Sequence, residues 1–459
     1  MVMRKNSATK RKFSLSTTHI ILIGFMAVIL VGSGLLTLPI SSKTGESVGY
    51  LDALFTSTSA TCVTGLVTLP TVSTWSVFGQ IVILILIQIG GLGVITVTAG
   101  IMLAFHRKFR LKDNLLIGDA FNISTLSGLR AFVKKVLVGV FLIEGVGALL
   151  YMTVFVPDFG VRGIWISIFN SVSAFCNAGL DIVSETSLYA YAGNPIVNSV
   201  TCLLIVTGGI GYIVWWDILR VFRQIKKHKG KWFRYLTLHS KIVLTATLTL
   251  ILGGALLIFL FEYNNPLTLG EYSLYDKIQI SFFQSVTTRT AGFATIPQEN
   301  LTGATSIVCI LLMFIGGSPV GTAGGIKTTT IVILLATCFA SVRGENETSL
   351  YHRSLTRQTV RKAVAVAGTS FIILFVSTVL LSLTTSAPTL DVVYETVSAT
   401  ATVGLSRNFT YFLSNWGKLI IIFTMFFGRV GPITLAVIFQ RRNEQINNVK
   451  NPTEEVSVG

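Results

Sequence analysis

Charge is what this sequence has least of. Only 12% of its 459 residues are Asp, Glu, Lys or Arg, while 51% are hydrophobic and the mean hydropathy is +0.70. A soluble domain carries about 25% charged residues, so a water-soluble fold is excluded and the chain reads as an integral membrane protein. Cysteine is equally sparse. Cys62, Cys176, Cys202, Cys309 and Cys338 lie in apolar surroundings without CxxC spacing, and the five histidines contain no HExxH. That excludes a disulfide framework and a metal centre, leaving reduced cysteines that act as small hydrophobes. Paired carboxylates and nucleophile–base arrangements are missing too, so no enzyme and no bound cofactor are expected. Without an ATPase motif or nucleotide fold, any transport draws on the membrane potential, about 2.3 kcal/mol per charge per 100 mV. The basic N-terminus runs into an apolar stretch lacking a small-residue cleavage site, which reads as an uncleaved first spanning helix.

What charge there is lies unevenly. The net charge of +16 would suggest nucleic acid in a soluble protein. Here most of the lysines and arginines fall in five blocks: Arg4 to Lys12, Arg107 to Lys135, Arg220 to Lys241, Arg343 to Lys362, and the tail from Arg441. Basic loops stay cytoplasmic, so an even number of crossings separates consecutive blocks, and no nucleic-acid partner is expected. A span needs about 20 apolar residues. Pairs of such runs lie between the blocks: His19 to Ile40 with Val77 to Phe105, Phe132 to Val156 with Pro195 to Val221, Ile242 to Phe261 with Ser306 to Val342, and Ala363 to Leu383 with Gly417 to Phe439. The expected division is a cytoplasmic N-terminus (1–17), four repeats (18–105, 131–221, 240–342, 363–440), cytoplasmic linkers (106–130, 222–239, 343–362) and a cytoplasmic tail (441–459).

Between the members of each pair lies a segment too short to span, rich in hydroxyls. The four read "FTSTSATCVTGL" (55–66), "FNSVSAFCNAGL" (169–180), "FFQSVTTRTAGF" (282–293) and "YETVSATATVGL" (394–405). Aligned on Gly65, Gly179, Gly292 and Gly404, they place an aromatic ten residues earlier at Phe55, Phe169, Phe282 and Tyr394. Such internal repetition implies quasi-equivalent units. Non-helical backbone at membrane depth is tolerated only inside protein or along a watery cavity, so each segment reads as a re-entrant helix and loop. The expected fold is an all-α integral membrane protein of four pseudo-repeats, each helix–pore helix and loop–helix, with eight spanning helices around a pseudo-fourfold pore. Outer loops folded over the bundle would explain the small residues but not the fixed glycine.

A short helix dipping toward a shared axis points its partially negative C-terminal end there, which favours a cation. An extended strand beyond it can aim carbonyls inward in place of hydration water, as in potassium filters. Glycine allows the backbone conformation and keeps a Cβ out of the lumen. The candidate ion-binding residues are therefore Val63, Thr64 and Gly65; Asn177, Ala178 and Gly179; Thr290, Ala291 and Gly292; Thr402, Val403 and Gly404. Only the glycine is uniform, so selectivity among alkali cations is expected to be real but less stringent than in a homotetrameric channel. The nearby acids Asp52, Asp181, Glu185 and Glu395 raise local cation concentration or cap helices.

Four such units with one filter glycine each resemble the Trk/Ktr/HKT superfamily of potassium transporters, and the length resembles its bacterial KtrB-type membrane subunits. The resemblance spans about residues 14 to 440. It implies potassium as the transported ion, with stimulation by sodium at a site these residues do not locate. It also implies a homodimer working on a cytosolic ring of nucleotide-binding RCK-domain regulators of the KtrA/KtrC type. In that superfamily serine at the first filter glycine is associated with sodium permeation, whereas Gly65 favours potassium. The basic loops, including "FRQIKKHKGKWFRY" (222–235), suit such a regulator or anionic membrane lipid equally.

The second run of the third repeat, "LLMFIGGSPVGTAGGIKTTTIVILL" (311–335), cannot hold one helix through Gly316, Gly317, Pro319, Gly321, Gly324 and Gly325. Within it, "GTAGGIKT" is no phosphate loop, because Ile326 separates Gly325 from Lys327 and no soluble strand precedes it. A loop obstructing the pore beneath the filter is the expectation, with Ser318 among its residues, and the resemblance implies such an intramembrane gate. Arg429, in mid-membrane, needs a buried partner; the resemblance implies contact with that loop, and pairing with an acid is the alternative. Lys327 either lies low in the cavity as a barrier or snorkels inward. Arg289 is expected to point behind its pore helix and anchor it, and Glu144 to pair with a neighbouring helix or carry a proton. "QIGGLGV" (88–94) and "TGGIGYI" (207–213) match dinucleotide fingerprints only by letter and suit close helix packing. A secondary transporter of another cation or small solute is the competing function, although two inverted repeats are usual there.

Overall fold

A computed structural model of the chain describes residues 17–104, 129–224 and 232–431. The N-terminal block, the stretch after Ala104, part of the third basic block and the chain from Pro432 lie outside the described residues, as do the expected span ends Phe105 and Phe439. The regular elements among the described residues are all helical, apart from a hairpin of β1 (Ser349–Leu350) and β2 (Arg353–Ser354). Leaving aside single turns, the helices are α1 (Thr17–Thr37), α2 (Tyr50–Cys62), α3 (Val77–Leu92), α4 (Val94–Ala104), α5 (Leu129–Phe159), α6 (Arg162–Cys176), α7 (Pro195–Gly209) and α8 (Tyr212–Arg223). They continue with α9 (Leu238–Glu262), α10 (Leu274–Thr287), α11 (Gly303–Phe314), α12 (Thr328–Val342), α13 (Arg357–Ser382), α14 (Thr389–Ala401) and α15 (Asn415–Val430).

Long and short helices alternate with a purpose. Among the described residues, α1, α5, α9 and α13 are long and apolar enough to cross a membrane unaided. Each is followed by a short buried helix, α2, α6, α10 or α14, packed against it. The contact uses small residues, as helix packing in lipid generally does. The hydroxyls of Ser57, Ser171 and Ser285 donate to the carbonyls of Ile29, Glu144 and Ile251 at 2.8, 2.6 and 2.7 Å. Opposite them stand Gly32, Gly147 and Gly254, where a Cβ would press on the same three hydroxyls.

This anchor corrects the gap-free alignment. Phe55, Phe169 and Tyr394 are fully buried, but Phe282 is 39% exposed and its neighbour Phe283 takes the buried place. Ser285 stands one residue closer to its glycine than Ser57 or Ser171 do to theirs, so the third segment is one residue shorter between anchor and glycine. The repeated letters persist through that deletion because Phe is doubled there.

Interruption of the second run is not confined to the third repeat. Helix α3 stops at Gly93 (φ 83°, ψ 140°), α7 gives way to α8 at Gly211 (φ 90°, ψ 142°), and α15 ends at Gly431 (φ 92°, ψ 141°). Only glycine adopts that backbone comfortably. Helices α7 and α8 meet at 97°. The spans read as continuous from Val77 and from Pro195 are thus interrupted. The two glycine motifs expected to serve packing, and a matching one in α15, do two jobs: Gly90, Gly208 and Gly428 let the helices press on the carbonyls of Thr61, Phe175 and Thr400, and the glycine three residues on ends or breaks the helix.

Candidate ion pathway

The four short helices end alike. Beyond α2, α6 and α14, Val63, Asn177 and Thr402 take left-handed φ values of 57°, 60° and 51°, and Thr290 follows at 66° after a longer turn beyond α10. Such a conformation turns the chain sharply away from the helix axis and is uncommon outside glycine. In the first and fourth segments the next residues are bound back identically. The Thr64 and Val403 amides donate to the Ser59 and Ser398 carbonyls at 2.8 Å. The Gly65 and Gly404 amides donate to the hydroxyls of those serines at 3.0 Å. Ala178 repeats the first bond to Ser173 at 2.8 Å, and Ala291 bonds instead to Thr287 at 2.9 Å.

The glycines then meet. Gly65, Gly179, Gly292 and Gly404 have φ values of 95°, 65°, 81° and 99°. A Cβ on Gly65 would stand 2.6 Å from the Ala178 carbonyl oxygen, one on Gly179 2.6 Å from that of Ala291, and one on Gly292 2.6 Å from that of Val403. One on Gly404 would collide with the Thr64 carbonyl oxygen. The order of contacts closes on itself, first to second to third to fourth to first. All eight flanking and turning residues, Val63, Thr64, Asn177, Ala178, Thr290, Ala291, Thr402 and Val403, are buried. The hydroxyls of Thr64 and Thr402 have no protein partner.

On one side of the glycines a cavity of about 360 Å³ opens, lined by all four of them together with Asp181, Glu185 and Glu299. Burial pushes the Asp181 carboxyl up to about 6, against the opposing pull of hydrogen bonds from Ser187 and the Val183 amide. Of the four acids singled out from sequence, Asp181 and Glu185 face this cavity. Asp52 instead pairs with Lys418 at 2.5 Å and accepts from Thr68 at 2.7 Å. Glu395, fully buried, accepts from Ser406 and Thr410 at 2.7 and 2.5 Å.

The other side is occupied by residues 316–327. This loop starts where Ile315 pairs with Ile326 as a parallel bridge. Ser318 and Thr322 amides donate to the carbonyls of Gly209 and Gly208 at 2.9 and 3.1 Å, and Tyr212 donates to Val320 at 3.0 Å, so the loop rides on the break between α7 and α8. The Ser318 hydroxyl meets that of Thr328 at 3.0 Å. Gly317 and Gly321 lie against Gly209 and Gly208, and Gly316 against Gly324 and Gly325. Its tip reaches the turning residues of the ring. The Thr322 hydroxyl donates to Asn177 Oδ1 at 2.9 Å, the Gly324 amide to Thr290 Oγ1 at 3.1 Å, and a Cβ on Gly324 would collide with Thr402 Oγ1.

Three basic side chains hold this arrangement. Arg429 donates to the Thr322 carbonyl at 2.6 Å and the Gly90 carbonyl at 2.5 Å, joining the loop to the first repeat without an acidic partner. Lys327 turns back on its own loop, donating to the Ala323 carbonyl at 2.7 Å rather than snorkelling. Arg289 donates to the Gly316 carbonyl at 3.1 Å and so ties the start of the loop rather than the pore helix. Glu144 accepts from Gln88 of α3 at 3.2 Å, the neighbouring-helix pairing. No cluster of His, Cys, Asp and Glu able to hold a metal ion occurs among the described residues.

The TrkH cation transport protein model matches residues 3–451. The chain belongs to the TrkH family of cation transport proteins. It is a multi-pass membrane transporter and not an enzyme. Ktr system potassium uptake protein B of Bacillus subtilis (strain 168) is 40% identical over 442 residues, covering 96% of each chain. Potassium/sodium uptake protein NtpJ of Enterococcus hirae is 38% identical over 465 residues, covering 100% of each. The crystal structure of the potassium transporter TrkH from Vibrio parahaemolyticus superposes with a TM-score of 0.74 at 16% identity, covering 94% of this chain and 86% of that one. That likeness establishes the fold alone, a mostly helical membrane architecture shared within the TrkH family.

Two contacts at the site were not read from sequence. Arg407, three residues after Gly404, and the Asp52–Lys418 pair both join separate repeats. A charge standing in a segment otherwise poor in Lys and Arg is the signal that marks Arg407.

Proposed function

We propose that the chain is the ion-translocating subunit of a Ktr-type potassium uptake system, passing potassium passively down its electrochemical gradient through the ring of four glycines. The observation that carries the reading is the closed order of contacts, in which each glycine abuts the carbonyl preceding the glycine of the next segment. Carbonyls crowded around one axis can replace the hydration shell of an alkali cation. The partnerless hydroxyls of Thr64 and Thr402 add oxygen atoms beside them. In this reading residues 18–105, 131–221, 240–342 and 363–440 are quasi-equivalent repeats around a pseudo-fourfold pore. They make eight crossings with both termini cytoplasmic.

Residues 316–327 serve as the gate, held by Arg429, with Gly316, Gly317, Ser318, Gly321, Gly324, Gly325 and Lys327 in the moving part. The names of relatives at 40% and 36% identity, each a Ktr system potassium uptake protein B, support potassium as the ion and partner subunits in a larger system. A homodimer controlled by a cytosolic RCK-domain ring follows from the same likeness, with no cofactor held by this chain and sodium as a stimulant. A second reading, permeation by sodium as well, is favoured by the potassium/sodium uptake relative and by the unlike residues beside the glycines.

Cation flux into liposomes holding the purified chain separates them. Rubidium or potassium uptake is expected to exceed sodium uptake greatly, and Gly65→Ser or Gly404→Ser to erode the ratio. Comparable rubidium and sodium uptake would favour the second reading. Unchanged selectivity in both variants would remove the glycines from the path.

A further inference from the structure

We infer that Arg407 is a positioning residue for ion selection, a clamp that fixes the fourth filter segment against the third. Its guanidinium joins three elements. Nε donates to Asp391 Oδ1 at 2.7 Å, in the first turn of α14; Nη1 donates to the Gln298 carbonyl at 2.9 Å and to the Ser306 hydroxyl of α11 at 2.8 Å; Nη2 donates to the Glu299 carbonyl at 2.9 Å. Arg407 and Asp391 side chains are 12% and 23% exposed, so water screens this pair less than a surface one. A planar fork with fixed donors suits such a grip, and lysine, a flexible point charge, does not reproduce it.

The two ends of the clamp both lead to the ring. On one side, Arg407 stands three residues past Gly404 on the same strand. On the other, Gln298 binds Gln284 of α10 in both directions, at 2.6 and 3.2 Å, and accepts from the Tyr394 hydroxyl of α14 at 3.0 Å. Helices α10 and α14 are the ones that deliver Gly292 and Gly404, whose Cα atoms are close enough that a Cβ on Gly292 would stand 3.2 Å from that of Gly404. The other junctions are built differently: Trp165–Gln80 and Cys176–Gln88 bonds at 2.8 and 3.6 Å between first and second, Ala294–Leu188, Ala294–Ser187 and Asn177–Arg289 bonds at 3.0, 3.3 and 3.5 Å between second and third, and the Asp52–Lys418 pair at 2.5 Å between fourth and first; none of these side chains makes the four bonds that Arg407 does. The third segment is the one with the missing residue, and the clamp binds the chain just beyond its glycine, at Gln298 and Glu299. Arg407 itself does not line the cavity above the glycines, although Leu405, Ser406 and Asn408 do.

The inference rests on the glycine ring being the ion path, and the experiment separates the two. Rubidium and sodium uptake are measured in liposomes holding the full chain, for wild type, Gly404→Ser, Arg407→Ala, Arg407→Lys, Asp391→Asn and the double variant Arg407→Ala with Asp391→Asn. Monodisperse elution in detergent confirms folding. Arg407→Ala should lower the rubidium-to-sodium ratio several-fold while uptake persists. Arg407→Lys should recover only part of it. Asp391→Asn should lower the ratio in the same direction, and the double variant should lose less than the product of the single losses.

A guanidinium acting only as a positive charge near the cavity predicts something else: opposite shifts of apparent rubidium affinity in Arg407→Ala and Asp391→Asn, at constant ratio. That result overturns the clamp, as does a wild-type ratio in Arg407→Ala and Arg407→Lys while Gly404→Ser is impaired. If Arg407→Ala does not fold, Arg407→Lys and Asp391→Asn decide by the same ratio. An unchanged ratio in Gly404→Ser defeats the pathway reading, and the clamp with it.

Discussion

The second helix of the third repeat and those of the other three solve one problem in two ways. In the first and second repeats a single glycine breaks the helix, with ψ of 140° at Gly93 and 142° at Gly211, and in the fourth the helix ends at Gly431 with the same backbone. In the third, the break expands into residues 316–327, which fill the space beneath the glycine ring. Three of these helices thus stop at one glycine, and that of the third repeat gives way to a loop packed against the residues flanking the ring. In the proposed pathway, likeness among the four builds the ring, while the one departure obstructs it.

The comparison breaks most visibly if the loop is made as short as its counterparts. Deleting Ser318 to Gly325 is expected to give the largest effect, raising potassium flux in liposomes without any regulator. Arg429→Ala should act in the same direction. It removes two hydrogen bonds to a charged donor, each worth about 1.5–3 kcal/mol, and so biases a closed loop toward opening by roughly tenfold or more. Flux that stays low in both variants, with folded protein, would make the loop structural rather than a gate.

A sharper contrast lies between Gly93 and Gly211, which share a backbone conformation but not a neighbour. Alanine at such a φ costs about 1–3 kcal/mol. Nothing lies within 4 Å of a Cβ at Gly93, whereas one at Gly211 would stand 2.5 Å from the Pro319 carbonyl of the loop. Gly93→Ala should therefore lower the unfolding temperature in detergent modestly, and Gly211→Ala more. Equal losses would show that the loop does not bear on the second repeat's break.

The smallest effect belongs to the cavity above the ring. With its carboxyl pushed up to about 6, Asp181 is charged at neutral pH and neutral below that value. Lowering pH on the cavity side from 7 to 5 should weaken apparent potassium affinity by about twofold at low ionic strength, less in high salt. Asp181→Asn should be weaker at pH 7 and flat across that range. A pH step that survives the substitution would assign it to another group.

Much of this was legible in the letters, and the failures are instructive. Glycine at a repeated position announces itself because no other residue replaces it where a backbone must turn and approach another. The hydroxyl and aromatic positions were nearly as plain, yet Phe282 was chosen over Phe283, because a doubled letter hides a one-residue deletion that only the Ser285 anchor reveals. The break at Gly325 and its neighbours is plain in the letters, but those at Gly93 and Gly211 are not, since a run such as Gly90, Gly91 and Gly93 carries two functions and hydropathy sees neither. For Asp52 and Glu395 the letters leave two roles open, raising local cation concentration or capping a helix, and do not show which side chains they meet. Their partners, Lys418, Ser406 and Thr410, are distant in sequence or themselves unremarkable.

One polypeptide contributes every side of the glycine ring. In an assembly of four identical chains a codon change strikes all quadrants together, so the outcome is close to all or none. Here a substitution alters one quadrant and leaves three as they were, so under the proposed pathway the preference for one cation over another can drift by small, separately selectable steps.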